Sequence, residues 1–333
     1  PQSGQEEEQT FQALSCMLAF DWHSSGTTTV LTGVLKSAID PKEYGIGFAG
    51  GKGKHSKNTF SDIESIGTQF GLSSKKIEEL QYTSKITAKV DSAAIQDGFD
   101  LYHHVTIFSD KGKWSVVQQG LNVEGGYARR YHWSNEIDNY IDEPHSGIVS
   151  DIVKTKTLDL TSKTSTETRE LIPDIINEGP ERVRRLIESL IDKNQTSLMS
   201  YMEGNSVSPI GPKIEVSILP KRVNWDILRD IYESDLKNFE DILAFKGMGR
   251  STVKGLALVS ELIYGTPLSW KDPVKYSFAF GGKDGVPRPV NRKGMEDAAE
   301  VLSNTIKEAK IGNEDKIKSL KNLKMFLGPY VEN

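Results

Sequence analysis

The stretch from Leu101 to Trp133 constrains the fold more than any other part of the chain. LYHHVTIF and WSVVQQGL flank SDKGK, a connection of hairpin length that contains a glycine. A second glycine-rich turn, VEGG, leads to YARRYHW. The pattern is a three-stranded antiparallel meander. If Phe108 pairs with Trp114, His104 opposes Gln118 and His103 opposes Gln119. Side chains alternate along a strand, so Leu101, His103, Val105 and Ile107 share one face and Tyr102, His104, Thr106 and Phe108 the other. Val105, Ile107 and Val117 make the first face the more apolar. His103 and Gln119 are therefore expected to be buried there and to satisfy one another.

Helical periodicity surrounds this sheet. Residues 11–39 read as two helical pieces hinged at Asp21–Gly26. YGIGFAGGKGKHSK reads as a short buried strand running into a Gly/Lys-rich loop. Residues 61–97 are helical in pieces, with a break at Gly71–Ser74 that supplies an N-cap. Ile148–Lys163, rich in Thr, Ser and Lys, has no clear period and reads as a linker or irregular loop. From Thr164 onward the pattern is mostly helical, interrupted by the loop GNSVSPIGPK. There is no internal repeat. The expected fold class is α+β. An N-terminal domain, residues 1–160, carries a small antiparallel sheet flanked by helices, and an all-helical C-terminal domain spans residues 161–333.

Composition narrows the function classes. Of 333 residues, 37% are hydrophobic and 26% charged, enough to build real cores. The net charge of −5 argues against a dedicated nucleic-acid coat protein more than against an enzyme that binds and releases, and any such contact needs a local basic surface. The single cysteine, Cys16, excludes an intramolecular disulfide and a cysteine zinc cluster, and fits a reducing compartment. The acidic start PQSGQEEEQT is unlike a signal peptide, and no apolar run approaches a membrane span. These features point to a cytoplasmic protein with no membrane partner. The chain begins at Pro1 and not at Met, which reads as a processed form or one lacking its true start.

Residues 239–264, FEDILAFKGMGRSTVKGLALVSELIY, place one apolar-periodic helix, then Gly247-Met248-Gly249, then a second amphipathic helix. This resembles the helix-hairpin-helix motif of DNA repair and recombination proteins. Two glycines allow a very tight turn and close backbone approach to a phosphate, whose charge the free N–H groups of the second helix meet. Lys246, Gly247, Gly249, Arg250, Thr252 and Lys254 are the candidate contacts, and they read phosphate and not base identity. The alternative is a turn that merely joins two packed helices. Some glycosylases with this motif carry a catalytic Lys two residues after the second glycine, where this chain has Ser251. Their Asp one long helix further on is matched only approximately by Asp272.

The N-terminal half carries the remaining chemistry. Asp21, His23, Asp91, Asp97, His103, His104 and Gln118 are the candidate catalytic residues. Among them Asp21, His23, Asp91 and His104 form a candidate oxygen and imidazole ligand set for a divalent ion, Mg²⁺ or Mn²⁺. Lys52, Lys54, Arg129 and Arg130 could neutralise phosphate charge. Such a mixture suits metal-assisted phosphodiester hydrolysis. For any single histidine the alternative is a core residue paired with a glutamine. GGKGK at 50–54 lacks the spacing of a phosphate-binding loop. Trp22, Trp114, Trp133, Tyr127 and Tyr131 could stack on bases or simply pack.

Taken as a set, DWHSSG, GGKGKHSK, VDSAAIQDG, LYHH, VVQQG, ARRYHW, EPHSG and FGGKDGVPRPV closely resemble a prokaryotic, largely archaeal family catalogued as domain of unknown function seven-six-three. Members of that family begin further upstream, with a Leu-Pro-Leu-His segment that this chain lacks. The resemblance supplies no activity. The expected function is a DNA-binding, DNA-processing protein, a metal-dependent nuclease in repair or recombination. The alternatives are a metal-free DNA glycosylase or AP lyase and a non-catalytic nucleic-acid-binding adaptor, and RNA stays open beside DNA. The oligomeric state is not legible.

Overall fold

The computed structural model describes residues 27–150, 152–190, 219–220, 222–275 and scattered positions between 300 and 323. The first helical piece, the hinge with Asp21 and His23, the loop 204–213 and the FGGKDGVPRPV segment lie outside the described residues.

A helix α1 (Thr27–Ala38) and a single turn α2 (Pro41–Tyr44) precede strand β1 (Ile46–Lys52). A 3-10 segment at Gly53–Asn58 follows, then α3 (Thr59–Gln69) and α4 (Ser74–Lys89). The break between α3 and α4 is where the sequence places it. Gly71 takes φ +70°, and Ser73 caps α4 by accepting the Lys76 N–H at 3.2 Å. Helix α4 does not simply stop. It passes into a π-turn, Val90–Ala94, whose extra residue per turn shifts the register of everything it carries.

Strands β2 (Ile95–Gln96), β3 (Asp100–Ser109), β4 (Trp114–Asn122), β5 (Tyr127–Ser134), β6 (Gly147–Ser150) and β7 (Leu158–Asp159) follow. The main sheet has five strands in the order β1-β3-β4-β5-β6, with the neighbours antiparallel. The meander β3-β4-β5 forms in the expected register: Phe108 sits opposite Trp114, His104 opposite Gln118, and His103 opposite Gln119. The sequence reading missed that β1 and β6 extend the sheet on both sides. Residues 148–163, expected to be a linker or irregular loop, instead supply most of β6 and pair as β7 with β2. Two- and four-residue strands are too short to show a period of two.

Both faces of the sheet are covered. Ala49 and Phe108 pack with Ile63 of α3 and Leu80 of α4, while Val116 and Trp133 join the largest core. The opposite face, with Val105 and His103, meets α1 through Thr32. Val105, Val117, His103 and Gln119 are buried on that face, as the sequence pattern leads one to expect. The face bearing His104 is the one packed against α3 and α4, and its Thr106 and Gln118 are fully buried.

Beyond β7 come α5 (Thr166–Asn177), α6 (180–190), α7 (Trp225–Glu233), α8 (Phe239–Ala244) and α9 (Arg250–Leu262). Ser269 forms a bridge to Asp159, so the chain after α9 returns to the small sheet. The largest hydrophobic cluster draws on both sides of residue 160, joining Ile86, Val116 and Trp133 to Ile172, Leu243 and Leu256. The whole is a mixed α/β structure with a small antiparallel sheet and helices. Among the described residues no helix is long and apolar enough to cross a membrane.

Candidate functional site

The π-turn at the end of α4 aims Asp91 into the sheet, where it is fully buried. A buried carboxylate must be met by donors. Here Gln118 Nε2 and Trp133 Nε1 donate to Oδ2 at 2.5 and 3.0 Å, and His145 Nε2 meets Oδ1 at 2.5 Å. The Trp133 and His145 rings pack 4.2 Å apart, which holds both donors in place.

Gln118 continues the chain of contacts. Its amide nitrogen faces a carboxylate, so its Oε1 is left to accept, and it lies 3.0 Å from His104 Nδ1. His104 Nδ1 therefore carries the proton, and Nε2 is the accepting nitrogen. That nitrogen is 2.7 Å from Ser84 Oγ and 3.3 Å from Thr106 Oγ1. Burial pushes the His104 imidazolium down below its ordinary range, against smaller opposing effects of Gln118 and Asp91. The result is a connected line, Asp91–Gln118–His104–Ser84, built from the π-turn, β4, β3 and α4.

The line ends at a cleft of about 420 Å³, whose walls include Ser84, His104 and Gln118. Lys57, Lys85 and Lys89 also line it, and none of its described lining residues is Asp or Glu. Lys89 donates to the Met248 carbonyl, and burial lowers its ammonium pKa, with Lys85 adding to the effect. Tyr102 stands at the cleft too, with the Lys52 ammonium 5.9 Å from its ring centre. Lys54 is exposed on the 3-10 segment that carries Lys57. Gly50, at φ +96°, lets β1 press onto this region. A Cβ there would lie 2.4 Å from the His104 carbonyl oxygen and 2.6 Å from Thr59 Oγ1.

His103 also contributes to the cleft wall, but its side chain belongs to the other sheet face, where it is buried with Nε2 3.1 Å from Thr32 Oγ1. It does not satisfy Gln119 as expected: His103 Nδ1 and Gln119 Oε1 are buried without a hydrogen-bond partner. The pairing places the two backbones opposite, but α1 offers the closer hydroxyl. Arg130, on this face, donates to His132 Nε2 at 3.1 Å and to Thr28 Oγ1 at 3.0 Å.

Two predicted residues sit elsewhere, in a structural knot. Arg129 is fully buried and reaches Asp97 at 2.8 Å and Asp272 through both of its terminal nitrogens, at 2.9 and 2.8 Å. Tyr131 donates to Asp97 at 2.6 Å, and the guanidinium lies over Phe99 at 4.5 Å. These groups tie the sheet to the segment after α9, and all of them are buried.

The α8–α9 pair folds as a hairpin about Gly247, which takes φ +95°. Asn238 caps α8 by accepting the Asp241 N–H at 2.8 Å. Arg250 is turned inward: it donates to the Ser92 and Phe99 carbonyls at 3.1 and 3.3 Å and pairs with Asp100 at 2.8 Å. Thr252 is buried and accepts the Asn224 N–H at 3.1 Å. Gly249 and Lys254 are half-buried, whereas Lys246 and Gly247 are exposed. The turn thus docks on the π-turn segment and leaves a narrow outer tip.

The structure brings Asp91, His104 and Gln118 together and leaves Asp97 and Arg129 apart from them. Asp21 and His23 lie outside the described residues. Among the described residues no group of three or more His, Cys, Asp or Glu side chains could hold a metal ion. Sequence reasoning passed over Ser84 and Lys89. A signal for Ser84 did exist, since Leu80, Thr83, Ser84 and Thr87 share the buried stripe of α4, and hydroxyls in an apolar stripe mark a polar interior.

Fold and site together define a mixed α/β protein in which a buried polar relay opens onto a lysine-lined cleft. The chain belongs to the family described as "Protein of unknown function (DUF763)", whose pattern matches residues 9–290. No curated protein matches the chain, and no solved structure does.

Proposed function

We propose that this protein binds nucleic acid, DNA in the first instance, along its phosphate backbone and hydrolyses phosphodiester bonds. The observation that carries this reading is the cleft. Lys57, Lys85 and Lys89 line it, Lys52 stands beside it, and its described lining has no carboxylate, on a chain whose net charge is −5. A cationic, hydroxyl-lined recess on an acidic body suits a phosphodiester better than a neutral or cationic substrate.

The α8–α9 hairpin supports the same reading as a helix-hairpin-helix. Its turn is joined to the cleft through Lys89, which lines the cleft and donates to the Met248 carbonyl. Lys246 and Gly247 are the exposed tip that a backbone phosphate would meet, while Arg250 and Thr252 hold the turn to the body. A divalent ion remains part of the proposal only through Asp21 and His23. The described oxygens of Asp91 and both nitrogens of His104 already have partners.

The test is binding and turnover on labelled single-stranded, duplex and branched DNA across a salt series, with Mg²⁺ or Mn²⁺ against EDTA. Binding should weaken steeply with salt, and the double variant Lys57→Glu/Lys85→Glu should bind at least tenfold more weakly at low salt. Absence of salt-dependent binding to every DNA form sinks the reading. A product formed only with metal restores the role of Asp21 and His23.

A further inference from the structure

We propose that Ser84 is the nucleophile of this cleft, with His104 as its base and Gln118 and Asp91 as positioning residues. The inference rests on reading the cleft as a phosphodiester site, and it deepens that reading by naming the attacking atom.

Three observations meet at Ser84. Its Oγ lies 2.7 Å from His104 Nε2, within range for direct proton transfer. That nitrogen is the unprotonated one, because Asp91 fixes the Gln118 amide and Gln118 in turn fixes the imidazole. Finally, Ser84 and His104, only 3% and 8% exposed, both contribute to the cleft wall, so the pair sits at the inner boundary of the recess. A hydroxyl inside α4 could bond back to the carbonyl four residues before it, as helical serines commonly do. Nucleophile, base and orienting group in hydrogen-bond sequence are the arrangement that activates a weak hydroxyl nucleophile.

The chemistry balances as follows. Ser84 gives its proton to His104 Nε2, and Oγ forms a bond to phosphorus. The bond from phosphorus to the opposite ester oxygen breaks. That oxygen takes a proton from the Lys89 ammonium, which lines the same cleft. A water then attacks phosphorus from the vacated side, returning a proton to the Lys89 amine. The bond to Oγ breaks, and Oγ recovers its proton from His104. The net reaction is one phosphodiester and one water to one phosphomonoester and one alcohol. No electrons change hands and no co-reactant beyond water is needed.

A fluorophosphonate reporter tests this without DNA. The full chain is incubated with the reporter in EDTA, digested and analysed by mass spectrometry. The expected result is a single adduct on the peptide carrying Ser84, lost in Ser84→Ala and formed about 100-fold more slowly in His104→Gln, the usual scale of a general base. Circular dichroism melts of both variants establish that they fold. Absence of an adduct at Ser84 in the parent chain, or labelling indifferent to His104→Gln in a folded variant, overturns the proposal.

A parallel arm uses end-labelled DNA. An SDS-resistant protein–DNA adduct or a product that vanishes in Ser84→Ala supports the nucleophile, whereas cleavage unaffected by Ser84→Ala overturns it and leaves the nucleic-acid reading standing. Labelled Ser84 without any DNA binding does the reverse.

Discussion

Gln118 donates to the Asp91 carboxylate at 2.5 Å, and this contact determines which end of its amide faces His104. A glutamine side chain alone could present either its oxygen or its nitrogen to an imidazole. Next to a buried carboxylate it has one choice, so the proton on His104 is set two hydrogen bonds away, at Asp91.

Substitution at Gln118 separates packing from orientation. Gln118→Met fills similar volume but removes one donor from Asp91 and the acceptor from His104. Asp91 keeps Trp133 and His145, but the buried His104 Nδ1–H is left unpaired, which should lower stability by about 1–3 kcal/mol. Reporter labelling of Ser84 should fall by at least tenfold even where the variant remains folded at the assay temperature. Gln118→Glu keeps an oxygen toward His104 but sets a second carboxylate against Asp91. Its stability should recover as pH falls and one carboxyl takes up a proton, a trend the Met variant lacks. Urea melts at two pH values read this directly.

Arg129 should behave as a structural residue. It is fully buried between Asp97 and Asp272, and Arg129→Met would leave two buried carboxylates without their cation. Removing one partner of a buried pair typically costs about 3–5 kcal/mol. We expect a large drop in the melting temperature, with DNA affinity per folded molecule unchanged. A well-folded variant with specifically weakened DNA binding would return Arg129 to the phosphate-contacting set.

How much of this the sequence disclosed depends on distance along the chain. The meander was legible because β3 and β4 are long enough to alternate and are joined by short turns; the opposition of His104 and Gln118 followed from counting back from Phe108 and Trp114. The outer strands were not legible. β1 reaches β3 across two helices, and nothing local to Gly47–Gly51 announces that pairing. Asp91 reads from the sequence as a candidate catalytic and metal-ligating residue, but its aim depends on a π-turn, and a helical wheel drawn at the ordinary period misplaces it. Arg129 and Arg130 are neighbours with the same side chain, yet strand alternation sends one into a buried knot and the other toward α1. Charge alone could not tell them apart.

The hairpin tip divides into a folding residue and a surface residue. Gly247 has φ +95°, and a Cβ there would lie 2.6 Å from Ile227 Cδ1. Gly247→Ala should therefore destabilise the protein by about 1–3 kcal/mol through backbone strain, whatever the hairpin binds. Lys246 is exposed beside it, so Lys246→Glu should leave stability within about 0.5 kcal/mol of the parent. If the tip meets phosphate, Lys246→Glu also weakens DNA binding severalfold at low salt and reduces the salt slope by about one. An unchanged slope would make the hairpin a joint between packed helices and confine binding to the cleft.

The last prediction concerns pH. Burial, with smaller contributions from His104 and Lys52, pushes His103 from its ordinary 6.5 down to about 4. The folded protein therefore binds this proton more weakly than the unfolded chain does. Above pH 6.5 the group is neutral in both states and has no effect. Between 6.5 and 4 the unfolded chain takes up a proton that the folded one refuses, so stability falls with pH. Each tenfold difference in proton affinity is worth about 1.4 kcal/mol, which makes the whole decline about 3 kcal/mol, complete below pH 4. His104 is shifted in the same direction and adds to the loss. Urea midpoints at pH 7, 5.5 and 4.5 for the parent and for His103→Gln isolate the first contribution. The variant should show a shallower decline across that window, because Gln cannot be protonated there. Parallel curves for the two proteins would mean that His103 takes up its proton in the folded state as readily as in the unfolded chain.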